Sequence, residues 1–169
     1  GTKLRGNVSI GPYCKVGGEV EDTIIHGYSN KQHDGYLGHS YIGEWVNLGA
    51  NTNNSDLKNN YGNVRFQFGD REIDTEEMFL GCFIGDYTKT GISTMINTGT
   101  YMGIGCNVFG GGFQDKFIPS FSWGKSDKTN LDKFLATLKI VKDRRGKIIS
   151  NNEINLITDL YNSNKLNKL

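Results

Sequence analysis

Along this chain an aliphatic residue followed by glycine keeps returning at six-residue steps. Ile10-Gly11 and Val16-Gly17 are six apart, as are Ile42-Gly43 and Leu48-Gly49, with Leu37-Gly38 just ahead of the latter pair. The step is most regular between Leu80 and Gly112, where Ile84, Thr90, Ile96, Met102 and Val108 follow one another and Gly85, Gly91 and Gly103 stand beside three of them. The two runs share one phase, since Leu48 and Ile84 are six sixes apart. An amphipathic helix needs apolar residues at i, i+3, i+4 and i+7, and a half-buried strand needs period two. Neither fits. A hexapeptide repeat does fit a parallel β-helix, in which each unit is one short strand plus a corner and three units close a triangular coil. The aliphatic residues then point inward and stack from coil to coil, with glycine beside them where the chain turns. Val20, Ile24 and Ile25 add β-branched positions to the first block.

Three stretches break the pattern. Residues 51–79 open with Asn51, Asn53, Asn54, Asn59, Asn60 and Asn63, which predicts loop, because Asn tolerates left-handed backbone and makes local turns. Within it Val64, Phe66 and Phe68 alternate with Arg65 and Gln67, which predicts a half-buried strand, and Asp70 to Glu77 is acidic. The whole reads as a loop or hairpin thrown out from one corner, of the kind that builds site walls in solenoids. From Phe113 to Gly124 the chain carries Phe117, Pro119, Phe121 and Trp123, which predicts a hydrophobic wrap over an open solenoid end. Two helices are expected beyond it. Leu131, Phe134, Leu135, Leu138 and Val141 share one face, with Asp132 in the first turn, Lys142, Arg144 and Arg145 in the last, and Gly146 as stop. Ser150 and Glu153 make a capping box for the second helix, whose apolar face is Ile154, Ile157, Leu160 and Tyr161. The expected organisation is an all-β solenoid over residues 1–124, with the insertion at 51–79, and a helical extension over 125–169. The pattern leaves open whether these helices cap their own chain or a neighbour.

At 169 residues this is one domain, or one domain with an appendage. Twenty-three glycines against two prolines exclude collagen, and eight Tyr with nine Phe exclude disorder. A formal net charge of +1 gives no global field, so neither nucleic acid nor a membrane surface is expected as a partner. No apolar run approaches a membrane span, and no signal peptide precedes the patterned sequence, which together predict a cytoplasmic protein. The absence of a starting Met suggests a fragment of a longer protein. Cys14, Cys82 and Cys106 are odd in number and form no CxxC pair, so they read as buried thiols rather than a disulfide framework or zinc site.

His33 is the main chemical candidate. It stands in a small polar run, Lys31-Gln32-His33-Asp34-Gly35, just ahead of the regular coil, where an imidazole suits a general base at neutral pH. A surface histidine at a corner is the bland alternative. His26 and His39 have no comparable neighbours. No HxH or HxxxH pair exists, so no metal is expected. Gly103-Ile104-Gly105 and Gly110-Gly111-Gly112 lack the helix or GK[ST] ending of a phosphate loop and read as structural. Arg144-Arg145 could meet phosphates of a nucleotide-like ligand, although such a pair at a helix end is usually a dipole partner on a solvated face.

The run HDGYLGHSYIGEWVNLGANT, beginning at His33, resembles the left-handed β-helix acetyltransferase domain of the bifunctional N-acetylglucosamine-1-phosphate uridyltransferase/glucosamine-1-phosphate acetyltransferase. That domain has a histidine, Tyr-Leu-Gly three residues later, then Val-Asn-Ile-Gly-Ala, and the match has no gap from His33 to Ala50. More closely, the chain looks like the C-terminal half of a bacterial, Bacteroidetes-type group of variant sugar nucleotidyltransferases. The matching runs are Lys58 to Tyr61, Asn97 to Thr100 and Ile118 to Gly124. The resemblance implies left-handed coiling, an acetyl-CoA co-substrate, an amino-sugar phosphate acceptor, no metal and a homotrimer with sites between prisms. It implies an N-terminal nucleotidyltransferase domain outside this chain. It makes His33 the base that deprotonates the sugar amine. Tyr36 and Asn47, with Asn60 and Tyr61 after a four-residue insertion, become substrate contacts. Ala50 and Ser93 become coenzyme contacts. The match departs at Glu21, where a basic residue is expected, and at Ile92, where serine is expected and Ser93 is adjacent. Two other readings stand beside the acetyltransferase. One is a non-catalytic trimerisation or regulatory β-helix of a nucleotidyltransferase. The other is a carbohydrate-binding or structural solenoid.

Overall fold

The computed structural model describes residues 1–163. They form a parallel β-solenoid with three faces. The second face is the most complete, with six strands side by side: Ser9–Ile10, Ile24–Ile25, Tyr41–Ile42, Cys82–Ile84, Thr100–Met102 and Phe117–Ile118. Their register stacks Ile10, Ile25, Ile42, Ile84, Met102 and Ile118 in one inward column. The first face stacks Leu4, Val20 and Leu37, and the third stacks Val16 on Lys31 and Thr90 on Val108, with Leu48 also buried. Each buried aliphatic contributes about 1.5–3 kcal/mol of transfer free energy. The dry ladder between the faces is the main stabilising term.

The six-residue positions are all inward, but the turning is done elsewhere. Backbone with positive φ occurs three residues after the inward position, at Tyr13, Tyr28, Trp45, Tyr87, Gly105 and Phe121 on one edge, and at Asn51 and Ser93 on another. The glycine after the inward residue serves close approach. A Cβ at Gly49 would lie 2.5 Å from the Gly91 carbonyl oxygen, and one at Gly85 2.8 Å from Gly103 backbone. The aromatic edge stacks on itself. Tyr28 lies 5.0 Å from Tyr13 and 4.2 Å from Trp45, the latter pair stacked with planes nearly parallel at 3°.

Two expectations about chain breaks change. Asn53–Asn54 belong to the solenoid as a strand of the first face, paired with Met95–Ile96, so the excursion leaves after Asn54. Asn54 continues the six-residue phase as a polar inward residue. Its Oδ1 accepts from Gly38 N–H at 2.8 Å and its Nδ2 donates to the Gly38 carbonyl at 2.9 Å, so an amide replaces the missing backbone ladder. The segment from Phe113 to Gly124 is not a wrap. Phe113 bridges to Met95, Phe117–Ile118 joins the second face and Ser122–Trp123 the third, which makes it a further coil. The excursion contains an antiparallel hairpin, Arg65–Phe68 with Arg71–Asp74. Phe66 packs on Phe83 at 4.8 Å and Phe68 on Tyr101 at 4.9 Å, so the hairpin covers the second face.

Helix α1 spans Leu131–Asp143 and helix α2 Asn151–Asn162. Asn130 caps the first, and Ser150 accepts from Glu153 N–H, which is half of the expected capping box, because the Glu153 carboxylate turns to Tyr87 and Lys142 instead. Both helices cap their own chain. Phe134, Leu138 and Ile157 form a second core with Phe121, joined by Tyr87 and Ile104 of the aromatic edge. Glu153 accepts from Tyr87 Oη and from Lys142 Nζ, which ties both helices to the solenoid. Burial pushes the Glu153 carboxyl up, but those two donors outweigh it and hold it below the usual range. The second cluster straddles residue 124, since Tyr87, Ile104 and Phe121 of the solenoid pack with the helices.

Candidate functional site

The outward residues of the third face make a polar column: Lys15 beside Asn30, then Asn47, Lys89, Asn107 and Trp123. Helix α1 lies against this column. At its C-terminal end the two enclose a cleft of about 620 Å³. Lys15, Asn30 and Asn47 line its floor, Gln32 and His33 one rim, and Val141, Arg144 and Arg145 the helical wall. Leu48, Gly49, Ala50 and Ile92 complete it. Among the described residues no carboxylate lines the cleft, while Lys15, Arg144 and Arg145 bring three cations. Arg145 Nη2 donates to Asn30 Oδ1 at 3.1 Å, and Asn30 Nδ2 to Asn47 Oδ1 at 3.4 Å. The Asn47 amide nitrogen therefore remains for a ligand.

His33 is exposed at the rim, and its imidazole has no side-chain partner among the described residues. Its corner is held from inside. Lys31 occupies an inward position of the third face, is 3% exposed, and donates to the Gly17 carbonyl at 3.2 Å and the His33 carbonyl at 2.5 Å. A buried ammonium is tolerated where carbonyl oxygens satisfy it. Burial holds the Lys31 amine below its ordinary value, with Asp34 pulling the other way. The Ala50 carbonyl accepts from Ser93 N–H at 2.7 Å, and the Ala50 N–H has no partner among the described residues.

The structure brings His33, Asn47 and Ala50 to one cleft and distributes the other predicted residues. Tyr36 lies around the corner on the first face. Its hydroxyl donates to Asp56 Oδ2 at 2.6 Å and also lies 3.0 Å from Glu21 Oε2. Burial and then these two carboxylates push its phenol up. Ser93 sits at a positive-φ corner, where its Oγ accepts from Asn51 Nδ2 at 3.1 Å. Its exposed neighbour Ile92 is the one that lines the cleft. Asn60 lies in the excursion, its Oδ1 accepting from Gly62 N–H at 3.1 Å, beside a separate hollow with Lys58, Asn97 and Lys116. Tyr61 is 66% exposed and lines neither hollow. The excursion's hairpin lies on the second face, so it is not a wall of the His33 cleft.

Sequence reasoning missed Lys15, Asn30 and Lys31, and only noted Arg144-Arg145. The signal for Lys31 was its place six after Ile25 and six before Leu37, the phase of an inward residue. His39 has neighbours after all. Its Nδ1 is 2.8 Å from Asp56 Oδ2, its Nε2 is 3.6 Å from Asp22 Oδ2, and its ring stacks on Phe79 at 5.1 Å. These partners come from another coil and from both ends of the excursion, so no sequence spacing announces them. Cys82 and Cys106 are buried free thiols, pushed up to about 12 and about 11 by burial, and Cys14 is half-buried and free. No group of three His, Cys, Asp or Glu side chains placed to hold a metal ion occurs among the described residues. None of the described helices is long and apolar enough to cross a membrane.

No protein-family model matches the chain. Over 112 residues, 65% of this chain, it is 35% identical to the bifunctional protein GlmU of Acaryochloris marina, of which it covers 21%. It is 32% identical over 93 residues to the bifunctional sugar-1-phosphate nucleotidylyltransferase/acetyltransferase of Sulfurisphaera tokodaii, covering 55% of this chain and 23% of that protein. The chain thus spans between 21% and 23% of the length of these curated relatives. A hexapeptide-repeat acetyltransferase structure from Vibrio cholerae, complexed with acetyl coenzyme A, aligns with 73% of this chain and 66% of its own. Its identity of 14% and TM-score of 0.27 are too low to carry an argument. The relatives matched in sequence are bifunctional nucleotidyltransferase/acetyltransferase proteins, each aligned over part of its length, as the run from His33 to Ala50 implied.

Proposed function

We propose that this chain is an acetyl-CoA-dependent N-acetyltransferase acting on an amino-sugar phosphate, and that it corresponds to the C-terminal part of a longer sugar nucleotidyltransferase. The observation that carries the reading is the cleft that joins His33, whose imidazole has no side-chain partner among the described residues, to Lys15, Arg144 and Arg145. Phosphate groups on the acceptor or the coenzyme need such cations, and Arg can meet two phosphate oxygens at once. His33 takes one proton from the neutral sugar amine as it attacks. The nitrogen forms a bond to the acetyl carbonyl carbon, the carbon–sulfur bond breaks, and the proton passes on to the departing thiolate. The Asn47 amide and the Ala50 N–H are the donors available to the oxyanion of the tetrahedral intermediate. In this reading the protein is a homotrimer, and a second copy completes the cleft.

A second reading, a non-catalytic trimerisation or regulatory solenoid, is favoured by Glu21. It stands where the resemblance expects a cation, and with Asp56 it claims the Tyr36 hydroxyl. One assay separates the two. Thiol release from acetyl-CoA is followed with glucosamine-1-phosphate and other amino-sugar phosphates, for wild type and His33→Ala. Turnover that the substitution abolishes supports the transferase. No turnover with any acceptor, together with no acetyl-CoA binding by calorimetry, leaves the second reading. Sedimentation as a monomer would count against a site shared between copies.

A further inference from the structure

A second cleft, about 540 Å³, lies between the N-terminal half of α1 and the upper coils of the third face. Its floor is the continuation of the same outward column, with Lys89, Asn107 and Trp123 in parallel register. Lys133 and Thr137, one turn apart on α1, form a wall, and Lys128 stands at the edge. The make-up differs from that of the first cleft: a large aromatic ring, Trp123, stands beside Asn107 in the floor, and the cations are all lysines.

Trp123 is 47% exposed, although outward positions below it in the column are Lys or Asn. Phe109 meets it edge-on, with ring centres 5.7 Å apart and planes at 77°, so the indole is steadied but not covered. An aromatic ring held half in water beside cations is costly as scaffold and suited to stacking a flat heterocycle. Lys89, Lys128 and Lys133 form no ion pair among the described residues, and no carboxylate lines the cleft. Lys89 Nζ has only the Tyr87 carbonyl at 3.3 Å, and burial holds its amine below the ordinary value. Lys128 Nζ is fixed by the Tyr161 carbonyl at 3.0 Å and lies 3.8 Å from the centre of that ring. An anion placed among these amines restores the charge compensation the protein omits.

We infer that this upper cleft is a nucleoside-phosphate site, with the base stacked on Trp123 and the phosphates held by Lys89, Lys128 and Lys133. The chemistry has two possible sources. One is the phosphorylated adenosine end of acetyl-CoA. Trp123 lies three ladder steps from Asn47 in the His33 cleft, about 14 Å at the spacing of neighbouring strands, which an extended pantetheine arm bridges. The other is a free nucleotide. The choice of the first source rests on the acyltransferase reading, whereas the site itself does not.

The test uses the intact chain with CoA, dephospho-CoA, ADP, UDP and tripolyphosphate as probes. Trp45 is buried under the helices, so quenching of tryptophan fluorescence by a stacked base reports on Trp123. Calorimetry gives affinities for wild type, Trp123→Leu, Trp123→Phe and Lys133→Ala. Both altered side chains are exposed, so the variants are expected to fold. The expected result is quenching by a nucleoside phosphate and a loss of affinity of about tenfold or more in Trp123→Leu and Lys133→Ala. Trp123→Phe retains most of the affinity. If CoA is the source, KM for acetyl-CoA rises in Trp123→Leu with kcat unchanged. If ADP or UDP binds in a Trp123-dependent way and CoA does not, the site stands and the acyltransferase reading falls. CoA binding that is indifferent to Trp123→Leu and Lys133→Ala overturns the site while leaving that reading intact. Tripolyphosphate binding as tightly as the nucleotides, with no quenching by any of them, also overturns it.

Discussion

His33 and His39 stand six residues apart in the same coil, one at each end of the Tyr36–Gly38 strand, and the fold uses them in opposite ways. His39 is enclosed by Asp22, Asp56 and the Phe79 ring, which come from another coil and from both ends of the excursion. Its Nδ1 is bonded to Asp56 and its Nε2 faces Asp22 at 3.6 Å, and it fastens the stem of residues 55–80 to the corner. His33 is exposed beside cations, with no side-chain partner among the described residues. The fold restrains it only through its carbonyl, held by the buried Lys31. A group whose hydrogen bonds are all taken by protein stabilises the fold, and a group left open at a fixed position is available for chemistry. The same contrast divides the first face, where carboxylates and Tyr36 satisfy one another, from the third, where lysines, arginines and asparagines are left for a ligand.

Substitutions can break that contrast. The largest effect is expected at His33. His33→Ala lowers kcat for acetyl transfer by about 10²–10⁴-fold, the usual contribution of a general base, and leaves the melting temperature unchanged. Equal activity in His33→Ala and wild type would put both histidines on the structural side. Next come the cations. Arg144→Ala with Arg145→Ala raises KM for the phosphorylated substrate at least tenfold, because each charge-assisted contact is worth about 1.5–3 kcal/mol. A change in kcat alone would mean that the pair does not bind substrate.

His39→Ala is the mirror case. It leaves the half-buried Asp56 carboxylate without its imidazole and costs about 1–3 kcal/mol, or a few degrees in melting temperature, with kcat retained. Loss of turnover without loss of stability would reverse the assignment of the two histidines. The smallest effect concerns Lys31. Its amine is held below the ordinary value near 10.5, so its charged form is disfavoured in the folded chain. The stability of wild type relative to Lys31→Met therefore rises as pH climbs toward 10.5 and falls as pH drops through the folded value. A melting-temperature difference that is flat across that alkaline window would show that the lysine pays no burial penalty.

Much of the fold was legible because the inward ladder repeats. The positions Ile42, Leu48, Ile84, Thr90, Ile96, Met102 and Val108 are all buried, as a six-residue step with flanking glycines predicts. Reading failed where a polar residue took an inward place. Asn54 and Lys31 keep the phase but not the hydrophobicity, since each satisfies backbone groups from inside. It failed again at Phe113–Gly124, where aromatic residues and Pro119 hid one more coil. Of the candidate site, His33, Asn47 and Ala50 were found from a local motif, which works because they lie within one coil. Tyr36 followed the same motif to a different face, because a corner of the solenoid separates residues only three positions apart.

Periodicity alone determined that this protein is a stacked parallel solenoid with two amphipathic helices after it. One face of each hexapeptide must be dry, and glycine must stand where backbones approach. Tertiary structure decided which polar groups are free. Stacking brings Asn30 under Asn47, and α1 folds back so that Arg145 meets Asn30 across 115 positions. The chain records each residue's chemistry, whereas its availability depends on neighbours that arrive from other coils and from the helix laid over them.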